Sequence, residues 1–328
     1  MYFIKSRTRE FVLIIVIIVI GVVTTQINPN FLTTINIANI LNIASTMGIM
    51  AVGMTLIITT GNIDVSIGSV FYAVCVTCST LCTFWQGENT VAIVLISVAV
   101  GLGIGVANGL LVALINMPAI VVTLATMSIV RGVVLIATDG VMLSNFVGPF
   151  TKIAAVRVGP LPITPVIWIV ISILFAILIY KIRFGREILA LGGNPLAAER
   201  IGIDRRRLFI IVFAIAGALT GLAGAYYASK IGVIHAQAGA GYEMKIIAAV
   251  VIGGTSFKGG KISLLGTFCG VLLMGVMDNM LTLMQVPIYW QGVTTGALLL
   301  AAVVSSAFTT DVTGTKEKYK TKVKKHDG

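Results

Sequence analysis

The stretch GREILALGGNPLAAERIG (185–202) places two adjacent glycines, an Asn-Pro pair and four charged residues in a chain built otherwise of Ile, Val, Leu and Ala. Its surroundings decide the fold. Of the 328 residues, 57% are apolar and only 11% are charged, and the mean hydropathy is +1.03. A soluble domain carries about 25% charged residues, so most of this chain has no water to face. Its solvent is a bilayer, which a helix of about 20 apolar residues can cross.

Hydrophobic runs separated by turn or charge signals fall at about 11–26, 35–60, 66–85, 91–116, 118–138, 164–180, 208–229, 244–256, 264–284 and 290–308. The pattern predicts an all-α, polytopic membrane bundle of about ten spans, with the eighth short and the second polar enough to be broken. Residues 1–10 then form one terminus, 11–308 the membrane domain with its largest loop at 181–207, and 309–328 a basic tail. The first run has no small-x-small cleavage site after it and reads as a retained helix. Ten crossings put both termini on one side. With that side cytoplasmic, inside segments carry 18 Lys and Arg against four outside, and Arg131 falls within a span. This is the asymmetry of a positive-inside topology. The net charge of +11 is thereby spent on loops near anionic lipid rather than on nucleic acid.

The opening stretch therefore lies in the largest cytoplasmic loop. FGREILALG (184–192) has helical spacing of its apolar residues. Gly192-Gly193 permits a stop, and Asn194-Pro195 restarts a helix with Asn as cap and Pro in its first turn. A helix–elbow–helix with small residues at its tip suits docking into a cleft on another protein. The same composition also fits an amphipathic loop lying at the membrane interface.

Glycines recur every three or four residues within spans: Gly101, Gly105 and Gly109; Gly217, Gly221 and Gly224; Gly266 and Gly270. Small residues at that spacing let helices approach closely in lipid. Cys75, Cys78 and Cys82 share a helical face with no His or carboxylate nearby and read as packing residues. Intramembrane charges are few: Arg131, placed to snorkel or to pair with Asp139, then Asp278, with Asp64, Glu243 and Lys245 at helix ends. Only Asp278 sits deep, which argues against the carboxylate cluster of an ion-coupled carrier. GGTSFKGGKIS (253–263) is not a phosphate loop, because Thr255 stands at its first glycine position and Ile262 follows Lys261. Energy for any transport must come from elsewhere. GVANGLLVALINMP (105–118) and GVMDNMLTLMQVP (275–287) echo one another, as in a duplicated transporter with its pathway between halves.

AVGMTLIITTGNIDVSIGSV (51–70), MPAIVVTLATMSIVRG (117–132), FGREILALGGNPLAAERIGI (184–203) and GAGYEMKIIAAVVIGGTSFKGGKISLLGT (239–267) resemble the membrane permeases of ribose-type sugar ABC importers, in order, from about residue 30 to residue 308. The resemblance implies the compact ten-helix fold of vitamin-B12-type (type II) importers in a bacterial cytoplasmic membrane. It also implies a second permease copy or paralogue, a cytoplasmic ATP-binding subunit that binds the ATP, and a periplasmic or lipid-anchored sugar-binding protein. Gly192, Gly193, Asn194, Pro195 and Ala198 match the loop that contacts the ATPase. The commoner family pattern has Gly where Asn62 stands, an acidic residue at Lys245 and Asn at Asp278. In these features the chain looks more like the autoinducer-2 or rhamnose branch. No site for a cofactor or metal of its own is implied.

The expected function is inward passage of a small polyol-like solute by alternating access. Asp64, Asn108, Asp278, Asn279 and Gln291 are candidates to line the pathway, or else to satisfy hydrogen bonds between helices. The competing readings are a stand-alone or ion-coupled facilitator and a receptor-like scaffold.

Overall fold

The computed structural model describes residues 8–287 and 289–301. Eight of its helices are long and apolar enough to cross a membrane: α1 (Thr8–Ile27), α2 (Thr34–Thr59), α3 (Ile67–Phe84), α4 (Thr90–Leu114), α5 (Ala119–Thr138), α6 (Ile163–Lys181), α9 (Arg205–Ile231) and α11 (Leu264–Leu283). Three shorter helices intervene, α7 (Arg183–Gly193), α8 (Pro195–Arg200) and α10 (Tyr242–Ile252). Residues 289–301 form a further helix, α12, up to the edge of the described region. A two-stranded antiparallel hairpin, Arg157–Val158 with Leu161–Pro162, precedes α6. Starts are set by short polar side chains that occupy otherwise unpaired amides: Thr33 caps α2, Asp204 caps α9 and Ser263 caps α11.

The bundle is built around α2, whose residues from Ala44 to Thr59 are all buried among α9, α11, α6 and α10. The most extensive helix–helix contact is between α4 and α9, and glycine is what permits it. A Cβ on Gly217 would run into the Gly101 carbonyl, and one on Gly101 into that of Gly217. On the rim, α1 packs on the bundle through Leu13 against Cys269 and Leu273 and through Ile17 and Ile20 against Phe31, Ile40 and Val276.

Two expectations are revised, and a third reaches past the described residues. The second span is not broken: α2 is one continuous 26-residue helix, and the irregular backbone follows it at 60–66. The eighth run, 244–256, is the 11-residue α10, about 16 Å at 1.5 Å per residue and so about half a bilayer. The tenth, 290–308, is helical through 301, while its remainder, the 309–328 tail and residues 1–7 lie outside the described residues.

The internal echo has a structural counterpart. Two residues past the end of α4, Asn116 takes φ +57°, and two past the end of α11, Gln285 takes φ +55°. Each is followed after one residue by proline, Pro118 or Pro287. The same left-handed stop falls at opposite ends of the bundle. Asn116 lies beside Glu199 of α8, whereas α11 begins near α7 and α8 and ends far from them.

Because Gly217→Ala inserts a methyl group into backbone, we expect it to cost about 1–3 kcal/mol, as overpacking does, and to lower the melting midpoint of the detergent-solubilised protein. Gly103, on the same α4, has no atom within 4 Å of a Cβ position. Gly103→Ala should melt with the parent, and equal losses for the two variants would contradict this packing.

Candidate functional site

Two segments of non-helical backbone enter the bundle from opposite ends. The first follows α2. The carbonyl of Thr59 accepts from the Gly260 amide at 2.9 Å, and the chain turns at Gly61, φ +80°, and runs back inward to α3. Side chains from α4 and α5 hold it. Asp64 Oδ1 accepts from the Ser66 amide at 2.8 Å and from Ser66 Oγ at 2.6 Å. Asn108 Nδ2 donates to Ser66 Oγ at 2.9 Å, while Thr126 Oγ1 donates to Asn108 Oδ1 at 2.6 Å. The Val65 amide donates to Thr123 Oγ1 at 3.1 Å. Asn108 and Thr126 lie about two turns, roughly 10 Å, from their helix ends, so the segment reaches that far in.

The second segment follows α9. Ile234 exchanges both backbone hydrogen bonds with Leu143, at 2.8 and 2.9 Å. Two turns deeper on α5, Arg131 donates from Nη1 to the Ala236 carbonyl at 3.0 Å and from Nη2 to that of Ala238 at 3.1 Å. Its guanidinium lies 5.2 Å from the centroid of the Tyr72 ring. Arg131 therefore neither snorkels nor pairs with Asp139: it supplies donors to carbonyls that have left their helix. The segment ends at Gly241, φ +80°, where α10 begins, and α10 finishes at the other end, Gly253 against Gly266.

The two segments meet in the middle. A Cβ on Gly68 would strike the Gly239 carbonyl, and one on Gly239 that of Gly68. Phe71 packs beside the junction, 5.0 Å from Tyr227 and 5.2 Å from Tyr242 between ring centroids. Next to it opens a cavity of about 430 Å³, bordered by Ser69, Ser128, Arg131, Gly241 and Glu243. That volume falls within the ~300–1,000 Å³ of small-molecule sites. Ser69 is buried, and its Oγ has no hydrogen-bond partner among the described residues. Glu243 Oε1 accepts from the Gly241 amide at 3.2 Å, at the positive end of the α10 dipole. One cation, one carboxylate, two hydroxyls and a helix N-terminus give a solute both donors and acceptors with little net charge.

The sequence-derived pathway residues are dispersed. Asp64 and Asn108 share the strap of the first segment, buried and mutually satisfied. Asp278 and Asn279, adjacent in α11, part company. Both carboxylate oxygens of Asp278 lie 2.8 Å from Lys245 Nζ of α10, while Asn279 exchanges amide hydrogen bonds of 2.8 and 2.9 Å with Asn36 of α2. Gln291 is on α12, its carbonyl accepting from Thr295 Oγ1 at 2.8 Å. Ser69 and Ser128 escaped notice because single serines in apolar runs carry no pattern. A usable signal was GAGYE (239–243) ahead of a run too short to span.

At one end of the bundle, α7 and α8 form the elbow anticipated around Gly192-Gly193-Asn194-Pro195. Asn194 Oδ1 accepts from the Ala197 amide at 3.1 Å, and Pro195 opens α8. Gly192 and Ala198 face inward: Gly192 is buried where a Cβ would collide with the Thr59 carbonyl, and Ala198 is 2% exposed. Gly193, Asn194 and Pro195 form the outer tip, joined by Leu196, 72% exposed, and Ile201, 76% exposed. These two apolar side chains were not anticipated. Gly192 also packs on Gly260, so the elbow is clasped to the end of α2 and to the loop between α10 and α11.

Residues 36–303 match the family described as branched-chain amino acid transport system, permease component. The ribose import permease protein of Escherichia coli strain K12 is 35% identical over 92% of this chain and 95% of its own length. That of Bacillus subtilis strain 168 is 34% identical over 87% and 89%. The autoinducer 2 import system permease protein of Yersinia enterocolitica is 32% identical over 91% and 82%. No solved structure is significantly similar to the chain.

The Lys245–Asp278 pair, with side chains 13% and 17% exposed, sets a direct test. Lys245→Met leaves Asp278 as an uncompensated charge, a loss of about 3–5 kcal/mol for a buried pair. Adding Asp278→Leu should restore most of the lost melting temperature. A double variant no better than the single one would mean that the loss does not come from an uncompensated Asp278 charge.

Proposed function

The chain belongs to the family of branched-chain amino acid-type transport permease components, and from that premise we propose that it forms the membrane pathway of an ABC importer for a monosaccharide or a closely related polyol. It is a multi-pass protein of the bacterial inner membrane and a transport subunit. The names within the family span an amino acid, ribose and autoinducer 2, so membership by itself leaves the cargo open. Sugar is favoured by the ribose permeases among its relatives and by the few, uncommitted donors and acceptors that the side-opening cavity sets in a mostly apolar lining. Hydroxyl groups find partners in Ser69, Ser128, Arg131 and Glu243, none of which forms a deep, closed trap.

The observation that carries the transport reading is the elbow. Its tip presents exposed Leu196 and Ile201, and its root is clasped to Thr59 and Gly260, where the first inward segment starts and the α10–α11 loop passes. In this reading the elbow faces the cytoplasm, with both termini on its side. A partner ATPase closes on ATP and pushes the tip, and the helix ends behind it rock about the central cavity. A binding protein delivers solute at the other face, and a second copy or a paralogue completes the pathway. The ATP stays on the partner, and the permease holds no cofactor.

Replacing Gly193 or Asn194 with Trp should abolish co-purification of the ATPase while leaving membrane insertion intact. ATPase retained at wild-type levels would remove the elbow's role. In proteoliposomes, radiolabelled ribose should enter only when ATPase, ATP and binding protein are all present. Uptake by this chain alone would establish a facilitator instead, and ATP-dependent uptake of labelled autoinducer 2 with none of ribose would transfer the cargo to the second relative's class.

A further inference from the structure

At the end of the bundle opposite the elbow, where α2 begins and α9 stops, lies a cavity of about 400 Å³. Fixed backbone frames it. Arg157 and Pro162 are paired across the two-stranded hairpin, and both border the cavity. Ahead of the hairpin, the 3-10 helix Pro149–Ala155 is pinned to α9. The Ala154 amide donates to Ser229 Oγ at 3.2 Å, and that hydroxyl donates to the Phe150 carbonyl at 2.7 Å. Lys230, the next residue of α9, also borders the cavity, and α2 lines it from Thr34 to Asn42, about 12 Å of helix.

The chemistry is one-sided. Arg157 and Lys230 are exposed, and neither forms an ion pair or a side-chain hydrogen bond among the described residues. No Asp or Glu borders the cavity. Thr33 Oγ1 takes the Asn36 amide at 3.3 Å. The amides of Thr34 and Ile35 are taken by no carbonyl among the described residues and lie at the positive end of the α2 dipole. Further in, Asn42 is only 8% exposed, yet its Oδ1 has no hydrogen-bond partner among the described residues. Its side-chain amide, like that of Asn39 one turn nearer the mouth, donates to no acceptor among them. Buried amides are normally satisfied, so this one calls for a ligand.

We propose that this cavity binds a phosphate monoester, carried either by a small soluble molecule or by a lipid headgroup. Such a group holds nearly two negative charges at neutral pH, one for each of Arg157 and Lys230, and a helix N-terminus is a ready anion site. A phosphodiester or a carboxylate brings a single charge and leaves one cation unanswered. The volume lies within the ~300–1,000 Å³ of small-molecule sites, so there is room for the carrier as well as the phosphate. Hydroxyl or ester oxygens on the carrier then meet the amides of Asn39 and Asn42. The bound ligand ties the end of α9 and the hairpin ahead of α6 to the start of α2.

The test uses the full-length protein in a neutral detergent and a phosphate-free buffer. Calorimetry compares glycerol 3-phosphate with the diester glycerophosphoglycerol, and native mass spectrometry compares phosphatidic acid with phosphatidylglycerol. In at least one arm the monoester should bind about tenfold more tightly than the diester, and the responding arm identifies the carrier. Arg157→Gln and Lys230→Gln, both on the surface, should each weaken that binding about tenfold without moving the melting midpoint. Asn42→Leu should weaken it as well, with no loss of melting temperature in the ligand-free protein. Equal binding of monoester and diester in both arms overturns the proposal. So does a preference that survives the two charge substitutions together, or full binding by Asn42→Leu. Failure of both monoesters to bind, with the solute-binding protein released by the double charge variant, would assign the cavity to an acidic protein segment and overturn it too.

Discussion

A backbone that leaves its helix inside hydrocarbon must find new hydrogen-bond partners, because no water is there to supply them. This structure meets that demand twice. Ala236 and Ala238 offer their carbonyls to one guanidinium, Arg131. On the other side, the amides of Val65 and Ser66 are taken by Thr123 and Asp64. Everything central to the molecule rests on these bonds. They let two non-helical segments lie at depth, bring Gly68 and Gly239 into contact, start α10 in mid-bundle and open a cavity that sets a few polar groups in a mostly apolar lining. An arginine within a span is costly, and here its role is structural as much as electrostatic.

The same contacts join the cavity to the surface. Gly192 of the elbow packs on Thr59 and Gly260. Thr59 begins the first inward segment, which ends beside Gly68. Gly260 lies in the loop from α10, whose other end is Gly241 on the cavity wall. Two short, densely packed routes therefore run from the elbow to the middle of the bundle, with glycine at each junction. A push at the elbow has rigid backbone to act on rather than flexible side chains.

Much of this was legible in the residues. The apolar runs place all eight long helices, since each needs only length and hydropathy. The elbow reads directly from Gly192-Gly193-Asn194-Pro195, because its cap and its proline are local chemistry. The inward segments do not read so easily. Residues 60–66 and 232–241 look like ordinary polar loops, and only α10's inability to span shows that a pass is shared between helix and irregular, turn-rich backbone. Arg131 and Asp278 were singled out as charges in a span, but their partners, the carbonyls of Ala236 and Ala238 and the Lys245 ammonium, are 33 to 107 residues away. Such pairings follow from tertiary packing alone. For the same reason Asp64 and Asn108, which by type suit a pathway, are engaged with Ser66 and Thr126 instead.

The depth of the second inward segment tests this account most directly. A fluorophore on a single cysteine at position 240 can be quenched by lipids brominated at different chain positions, with a label at position 232 as the shallow reference. With the backbone folded back along α5, quenching at 240 should be strongest from bromines deep in the acyl chains, while 232 responds to the shallow ones. Matching shallow profiles at the two positions would return residues 232–241 to the membrane surface and remove the junction on which the structure depends.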